Sequence, residues 1–341
     1  MGKFEYYFFS DQHYKKIEEI LNCKLICYSF FLNHGRYCHK YVDYLVAANL
    51  DESKLNILQQ TIKHKVIIIN RNFTYHVRVY HQSLMKYVEF EPVTSKQMIL
   101  GYNYNGLMKI PITSQENNYL LVGASGSGKS CLAQSIVQNL INNNIEVWIC
   151  DNKGSFDYDN FGVKLGKNVS DCLKMINEFE ELVESRLNQN KKHSPMLFII
   201  DEIFPLSCCD TKLKKSTMNK LALIMSRCRS ANCHLMLISQ RNTSDIIDTR
   251  LMANISIRIC LKTSSKQESI NAIDCDVAHK INVIGRGYVS LHGELEEFQS
   301  FYLKEIYKKE ESNNGENDRK GHESVQLPSK NQITNKFLWS R

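Results

Sequence analysis

Residues 119–130 read YLLVGASGSGKS, an apolar run followed at once by a glycine-rich turn that ends in Lys and Ser. The next stretch, residues 131–141, has the composition of a helix. A strand, a glycine-rich turn, Lys-Ser and a helix, in that order, form the context that a phosphate-binding loop (P-loop) requires. This stretch therefore predicts a nucleotide-binding α/β domain.

The P-loop supplies the predicted nucleotide-binding residues, because glycines let backbone N–H groups curl around phosphates and the following helix adds its positive end. Lys129 is placed to reach the β and γ phosphates of ATP, and Ser130 to ligate Mg²⁺. ATP and Mg²⁺ are accordingly the predicted cofactors. The predicted nucleotide-binding residues are Gly123, Ala124, Ser125, Gly126, Ser127, Gly128, Lys129, Ser130 and Cys131.

Short apolar runs alternate with helical stretches from residue 97 onward, which is typical of buried parallel strands in a doubly wound sheet. Ligands bind beyond the carboxyl ends of the strands in such sheets. We therefore predict an α/β fold, a RecA-like P-loop NTPase with a doubly wound and mainly parallel sheet. The runs are residues 119–122, 145–150, 196–200, 235–239 and 255–261.

Polar residues follow two of these runs. Asp201 and Glu202 end the run 196–200; the Asp can hold Mg²⁺ through water and the Glu can polarise the attacking water. A lone Asp-Glu pair is usually a solvated turn or helix start, but its place after a buried strand downstream of a P-loop favours catalysis. Ser239, Gln240 and Arg241 end the run 235–239, and Gln240 is predicted to sense the γ-phosphate or orient water.

Length and local composition divide the 341 residues into three predicted segments. Residues 1–95, with strand-like patches at 65–70 and 75–80, form a small N-terminal α+β domain of open role. Residues 96–307 form the P-loop domain. Residues 308–341 are too polar to bury a core and are predicted to be a flexible tail.

Charge and hydropathy set broad limits on function. A net charge of +7 suits nucleic acid or an anionic membrane surface, although ordinary solubility would explain it equally well. The longest early apolar stretch, residues 25–32, is far shorter than the ~20 residues that cross a bilayer. We therefore predict a soluble, cytoplasmic protein.

The twelve cysteines include no CxxC pair and no regular disulfide spacing, which favours a reducing cytoplasm. One group of metal-capable side chains matches no standard zinc spacing, so core and surface roles are preferred for it. That group is Cys23, Cys27, His34, Cys38 and His39.

Residues 98–303 resemble the motor domain of the FtsK/SpoIIIE family. Six sequence blocks carry the resemblance and occur in the family's order. The family's LGxDxxG and LLVAGxTGSGKS match residues 100–130, DPK matches 151–153, VDEFADL matches 200–206, ARAAGIHLxLATQRP matches 228–242, KANIPTRIxxxVSSKxDS matches 252–269, and LLGRGDML matches 283–290.

The chain departs from the family pattern at several points. The proline of DPK is Asn152 and the proline after TQR is Asn242; both are interpreted as changes to turns. Ile270 replaces the arginine that follows SSKxDS, which lies in a DNA-contacting loop of the family, so the resemblance does not supply that DNA contact in this chain. The spacing between the P-loop and the acidic strand end is short, so part of the family's insert is missing.

The resemblance implies a homo-hexameric ring that hydrolyses ATP at subunit interfaces and moves double-stranded DNA. Arg258 is then predicted to complete a neighbour's active site as a catalytic residue, with Arg229 as the second choice and a structural ion pair as the alternative. Four cations in the matching segment are the predicted DNA contacts, although each alone is more often a solvated surface charge. They are Lys262, Lys266, Lys280 and Arg286.

The short motor and the small N-terminal domain resemble FtsK-like proteins of mobile elements. That resemblance implies a role in conjugative transfer or replication, with a relaxase or replication initiator and a membrane transfer channel as partners, and a peripheral position at the membrane. Two alternatives stay open: a protein-secretion ATPase of the type VII kind, and a non-translocating DNA-binding ATPase that assists a replication initiator.

Overall fold

The computed structural model describes residues 15, 17–19, 24–33, 36–46, 53, 57–58, 66–71, 74–80, 84–113, 118–155, 157–189, 191–243, 246–247, 249–291 and 293–304. The predicted tail at 308–341 and the side chains of the N-terminal Cys/His group lie outside the described residues. The chain divides into two compact units, and the larger one runs from Leu84 to Glu310.

The smaller unit contains a four-stranded antiparallel sheet in the order β1-β2-β4-β3. The patches predicted at 65–70 and 75–80 correspond to two neighbouring antiparallel strands. Tyr44 and Val77 pair across β2 and β4, and both are fully buried, so this sheet has an apolar face. The strands are β1 (Lys24–Asn33), β2 (Arg36–Val46), β3 (Val66–Arg71) and β4 (Thr74–Tyr80).

The larger unit is built on a ten-stranded sheet in the order β6-β5-β14-β13-β12-β7-β11-β10-β8-β9. The six strands from β12 to β9 are parallel, and the other four extend the sheet in antiparallel fashion. All five predicted strands are present. The strands are β5 (Met98–Asn103), β6 (Gly106–Ile110), β7 (Asn118–Val122), β8 (Glu146–Asp151), β9 (Lys164–Gly166), β10 (Met196–Asp201), β11 (Cys233–Ser239), β12 (Ile257–Leu261), β13 (Arg286–Leu291) and β14 (Glu294–Ser300).

Helices cover both faces of this sheet. Along β10, Leu197 and Ile199 pack into the core shared with α1, whereas Phe198 and Ile200 pack into the core shared with α2 and α4, because successive side chains of a strand point to opposite faces. The doubly wound α/β prediction is thereby confirmed. The helices are α1 (Lys129–Asn142), α2 (Val169–Leu187), α3 (Phe204–Ser207), α4 (Thr211–Ala231), α5 (Thr249–Met252) and α6 (Lys266–Ile273).

None of the helices in the described part of the chain is both long enough and apolar enough to span a membrane.

The segment just before β5 is bonded to the larger unit, although the sequence analysis assigned residues up to 95 to the N-terminal domain. The Phe90 N–H donates to the Tyr302 carbonyl at 2.9 Å. The Asn143 side chain donates to the Val93 carbonyl at 2.8 Å. These bonds explain why the division between the units falls at residues 83/84.

The carboxyl ends of β7, β11, β10 and β8 meet at one edge of the sheet, because these four strands are parallel neighbours. Ser239 at the end of β11 pairs with Val122 at the end of β7. Asp201 at the end of β10 pairs with Asp151 at the end of β8. The segments that follow these strands therefore lie side by side, and they are the segments predicted to carry the chemistry.

Candidate nucleotide site

The P-loop leads from β7 into α1, which begins at Lys129. Gly126 and Gly128 have φ values of 74° and 103°, a backbone conformation that glycine adopts without a steric penalty. A Cβ on Gly128 would lie 3.1 Å from the Gly285 nitrogen. The Gly285 N–H in turn donates to the Ser127 carbonyl at 2.9 Å, so the loop before β13 braces the P-loop at its tightest point.

Two further backbone bonds attach the P-loop to neighbouring strand ends. The Gly123 N–H donates to the Ser239 carbonyl at 3.3 Å, and the Ala124 N–H donates to the Lys262 carbonyl at 2.7 Å. The loop is therefore supported from β11 on one side and from β12 on the other. These two bonds fix the start of the loop relative to the ends of both strands.

Lys129 is buried, and its ammonium folds back on the loop. Its Nζ donates to the Gly123 carbonyl at 2.6 Å and to the Ala124 carbonyl at 2.9 Å. Burial and, to a smaller extent, the positive charge of Lys153 lower the pKa of Lys129 to about 8, against the opposing effect of the Glu202 and Asp201 charges. A bound phosphate would replace these two carbonyls as the hydrogen-bond acceptor of the ammonium group.

ATP binding is expected to take up a proton above neutral pH. With a Lys129 pKa of about 8, the amine is mostly neutral at pH 9 in the free protein, and phosphate charge favours its protonated form. Binding should then take up about one proton per site at pH 9 and about a tenth of one at pH 7. Titration calorimetry in two buffers of different ionisation enthalpy measures this uptake. Equal binding enthalpies in both buffers at pH 9 would contradict the assignment.

Asp201 ends the fully buried strand β10 with its side chain only 1% exposed. Its Oδ1 accepts from Lys153 Nζ at 2.7 Å, and its Oδ2 accepts from the Tyr158 hydroxyl at 2.8 Å. Tyr158 is itself buried, and burial together with the Asp201 charge raises the pKa of its hydroxyl well above the ordinary value. The Tyr158 hydroxyl therefore remains a donor, and the carboxylate of Asp201 is compensated on both oxygens.

Glu202 follows Asp201 with a φ of 67°, in the left-handed region that residues with a Cβ rarely adopt. Its side chain is buried. Its Oε1 accepts from the Gln240 N–H at 3.4 Å and lies 3.5 Å from the Ser239 hydroxyl oxygen. Its Oε2 is buried and has no hydrogen-bond partner among the described residues, so this oxygen is available to a water or a cation.

A cavity of about 330 Å³ opens beside Glu202. Gln240 and Arg241 from the end of β11 line it, together with Phe204 and Ile246. The predicted catalytic residues Glu202 and Gln240 thus share one space. Apolar side chains around a carboxylate exclude competing water, which strengthens the electrostatic interactions within such a space.

A second cavity of about 230 Å³ borders the P-loop. Residues 124–127, 262–264 and 282–284 line it. Lys262, which we predicted to contact DNA, is exposed and lines this cavity. The residue therefore lies next to the P-loop.

The other predicted DNA contacts differ in their surroundings. Lys266 and Lys280 are 66% and 62% exposed, and both lie near Asp276, at 3.4 Å and 3.5 Å. The hydrogen bond from Lys266 and the charges of both lysines lower the pKa of the Asp276 carboxyl. The two lysines therefore share one carboxylate and carry a net positive charge into solvent.

Arg286 is enclosed by the protein, although we predicted that it contacts DNA. Its side chain is only 12% exposed and pairs with Glu297 at 3.2 Å. It also donates to the Gln299 side chain at 2.9 Å and to the carbonyls of Leu84 and Met85. Because its guanidinium is already engaged, we leave Arg286 out of the proposed DNA contacts.

Of the two predicted trans arginines, Arg258 lies on β12 and Arg229 on α4. The Arg258 Nη1 pairs with Asp274 Oδ2 at 2.7 Å, which is the structural alternative considered for it. Arg229 is exposed near the end of α4. Neither arginine is placed at the Glu202 cavity of its own chain, whose lining is Glu202, Phe204, Gln240, Arg241 and Ile246 among the described residues.

Sequence analysis missed two residues that contact Asp201. Lys153 is the last residue of the DPK-type block, and Tyr158 lies outside all six blocks. Both follow β8, and that position relative to the neighbouring strand β10 was the signal that could have identified them. Asn152, interpreted as a change to a turn, bonds to the backbone of Asp201 and Glu202.

The residues present fit a nucleotide with Mg²⁺. Ser130 stands in the first turn of α1, and the hydroxyl of Ser127 is buried without a hydrogen-bond partner in the described chain. Oxygen donors from Ser130 and, through water, from Asp201 are the kind that Mg²⁺ prefers. Bound there, the ion would neutralise charge on the phosphates. Cys131 is half-buried, and burial raises the pKa of its thiol, so it stays neutral.

Comparisons with known proteins agree with this site. The family model for ATPases associated with various cellular activities (AAA) matches residues 119–263. The DNA translocase SpoIIIE of Bacillus subtilis (strain 168) is 24% identical over 223 residues, which cover 55% of this chain. The match covers 28% of SpoIIIE, so the chain corresponds to a minor part of that protein's length.

The fold also occurs in solved structures. The pCW3 conjugation coupling protein TcpA, in monomer form with ATPγS, superposes with a TM-score of 0.61 at 18% identity, covering 86% of this chain and 95% of that one. The cytoplasmic domain of the type VII secretion ATPase EccC of Thermomonospora curvata superposes with a TM-score of 0.50 at 20% identity, covering 67% of this chain and 31% of that one.

The P-loop, the acidic end of β10 and the parallel sheet that joins them define a P-loop ATPase. Within that class the chain is similar to the DNA translocase SpoIIIE over part of its length, which agrees with the resemblance that the six motif blocks indicate.

Proposed function

We propose that this chain is an ATP-driven motor that moves double-stranded DNA. The observation that carries the proposal is the convergence of the buried Lys129 with the buried Asp201 and Glu202 at one edge of the sheet. Similarity to a protein named as a DNA translocase supports double-stranded DNA as the proposed substrate. In this proposal Lys129 binds phosphate, Ser130 and Asp201 hold Mg²⁺, Glu202 activates water, and Gln240 senses the γ-phosphate.

The biological setting that we propose is the transfer or replication of a mobile element. Its support is the similarity to a conjugation coupling protein over nearly the whole of that protein's chain. The partners in this setting are double-stranded DNA, further copies of the chain in a hexameric ring, a relaxase or replication initiator, and a membrane transfer channel. A cytoplasmic position, peripheral at the membrane, follows from these partners.

A protein-secretion ATPase is the second candidate, because type VII secretion ATPases share the fold. The two candidates differ in what accelerates hydrolysis. Duplex DNA of any sequence should raise the Mg²⁺-dependent ATPase rate of a DNA motor, because phosphate contacts carry no sequence information. Stimulation by a secretion-signal peptide and indifference to duplex DNA would select the second candidate. Stimulation by DNA without displacement of a triplex-forming strand would select a non-translocating ATPase.

Removal of the Lys266 and Lys280 side chains is expected to weaken DNA binding and its salt dependence. Each phosphate contact contributes about 0.9 to the slope of log affinity against log salt, so the double Ala variant should lose about 2 from that slope. Fluorescence anisotropy with a labelled duplex at several salt concentrations measures the slope. Lys262 is left intact because it borders the P-loop.

A matched control for this pair is Lys191→Ala with Lys192→Ala. Both lysines are exposed and precede β10, so they lie at the opposite edge of the sheet. The control removes the same charge and should keep the wild-type slope. Equal slopes for the two double variants would place the DNA contacts elsewhere, and a changed ATP affinity in either would point to an indirect effect.

A further inference from the structure

The peptide that links Glu202 to Ile203 is held from both sides. The Glu202 carbonyl accepts from Asn152 Nδ2 at 3.1 Å. The Ile203 N–H donates to the Ile238 carbonyl at 3.0 Å. The first bond comes from the end of β8 and the second from β11, so the strands on each side of β10 together fix the plane of this peptide.

This peptide follows the left-handed backbone of Glu202, with its φ of 67°. Residues with a Cβ hold that conformation only where the surroundings determine it. The conformation turns the chain out of β10 and brings the carboxylate to the end of β11, where Oε1 meets the Gln240 N–H. The backbone of Glu202 and the direction of its carboxylate are therefore linked.

Asn152 holds two successive carbonyls at this point. Its backbone N–H donates to the Asp201 carbonyl at 3.2 Å, and its side chain donates to the Glu202 carbonyl. The proline that the motif pattern has at this position lacks a backbone N–H and has no side-chain donor. Both bonds therefore depend on the departure from the pattern.

We propose that Asn152 is a positioning residue for ATP hydrolysis, which holds Glu202 in the left-handed conformation that directs its carboxylate toward the end of β11. The inference rests on the proposed role of Glu202. It identifies the hydrogen bonds of Asn152 as the contacts that keep that residue in place. Asn152 touches the backbone of Glu202 and is not itself a catalytic residue.

Asn152→Ala and the nearly isosteric Asn152→Asp remove the side-chain donor and keep the backbone N–H. Both should lower kcat on the order of 100-fold, since a displacement of about 1 Å at a reacting group has that effect. The Kd for ATPγS and the KM for ATP should stay within about twofold, because Asn152 does not belong to the P-loop. Steady-state kinetics and equilibrium binding measure the two effects.

Asn232→Gly is the matched control. The Asn232 side chain donates to the His193 carbonyl at 2.8 Å, next to the opposite end of β11, and its φ of 49° suits glycine. This variant loses a similar amide-to-carbonyl bond, so it should lower the thermal midpoint and leave kcat unchanged. An equal loss of kcat in the control and in the Asn152 variants would show that lost stability alone explains the effect. That result would overturn the inference.

Thermal unfolding tests the positioning role of Asn152 without relying on catalysis. Glycine holds a positive φ without support, so Asn152→Ala should lower the thermal midpoint less in a Glu202→Gly background than in the wild type. Additive shifts would overturn the inference, because independent residues add. This test also covers an Asn152→Ala protein too unstable for kinetics.

The outcomes separate the inference from the function on which it rests. A wild-type protein that hydrolyses no ATP with or without DNA would overturn both. Wild-type hydrolysis with unchanged kcat in Asn152→Ala and Asn152→Asp would overturn only the positioning role.

Discussion

Replacing Glu202 with Gln is expected to lower kcat for ATP by about 10³-fold, within the range that general-base catalysis contributes. The amide keeps the size of the side chain and its contact with the Gln240 N–H, but it does not take a proton from the attacking water. The Oε2 that lacks a hydrogen-bond partner among the described residues is the atom best placed for that step. ATP should still bind, because the P-loop is untouched.

Single-turnover hydrolysis measures the loss of kcat, and retention of labelled ATP on the protein measures the preserved binding. Lys129→Ala gives the opposite pattern, with loss of binding itself, because the phosphate contact disappears. Glu184→Gln is a matched control: Glu184 is 53% exposed and pairs with Arg227 on the surface, so its rate should equal that of the wild type. Hydrolysis by Glu202→Gln at a rate near that of the wild type would remove Glu202 from the mechanism.

Arg258→Ala is expected to lower ATP hydrolysis by 10³-fold or more, since an arginine supplied to the γ-phosphate contributes about 10³–10⁵ in rate. The structure sharpens this prediction, because Arg258 pairs with Asp274 within its own chain. Asp274 is 78% exposed and has a φ of 57°, a conformation that Asn tolerates well. Asp274→Asn therefore breaks the ion pair and preserves the backbone.

If Arg258 acts on a neighbour's nucleotide, Asp274→Asn should keep most of its activity. If Arg258 only holds β12 to the end of α6, Arg258→Ala and Asp274→Asn should lose ATPase activity to the same extent. Mixing Arg258→Ala with Glu202→Gln tests the action in trans, because mixed rings contain some interfaces with an intact arginine and an intact Glu202. Partial recovery of ATPase activity is expected. Mixed rings confirmed by native mass spectrometry that recover no activity would confine Arg258 to its own subunit.

Apolar runs and the P-loop were enough to predict the centre of the fold and the phosphate-binding turn. Three of the five predicted strands, β7, β10 and β11, are buried along their whole length, and continuous apolar runs of that kind are recognisable without neighbours. The antiparallel strands β13 and β14 were not predicted, because they are only partly buried and mix charged with apolar residues. Their place in the sheet depends on pairing with distant strands, and local patterns do not encode such pairing.

The same division holds at the candidate site. Glu202 and Asp201 were identifiable from sequence because the end of a buried strand after a P-loop is a recognisable position. The partners of these carboxylates were decided by tertiary structure alone. Lys153 and Tyr158 reach Asp201, and Asn152 reaches Glu202, across 43 to 50 residues of chain. Only the register of β8 beside β10 brings them together, because that pairing sets which side chains share the edge of the sheet.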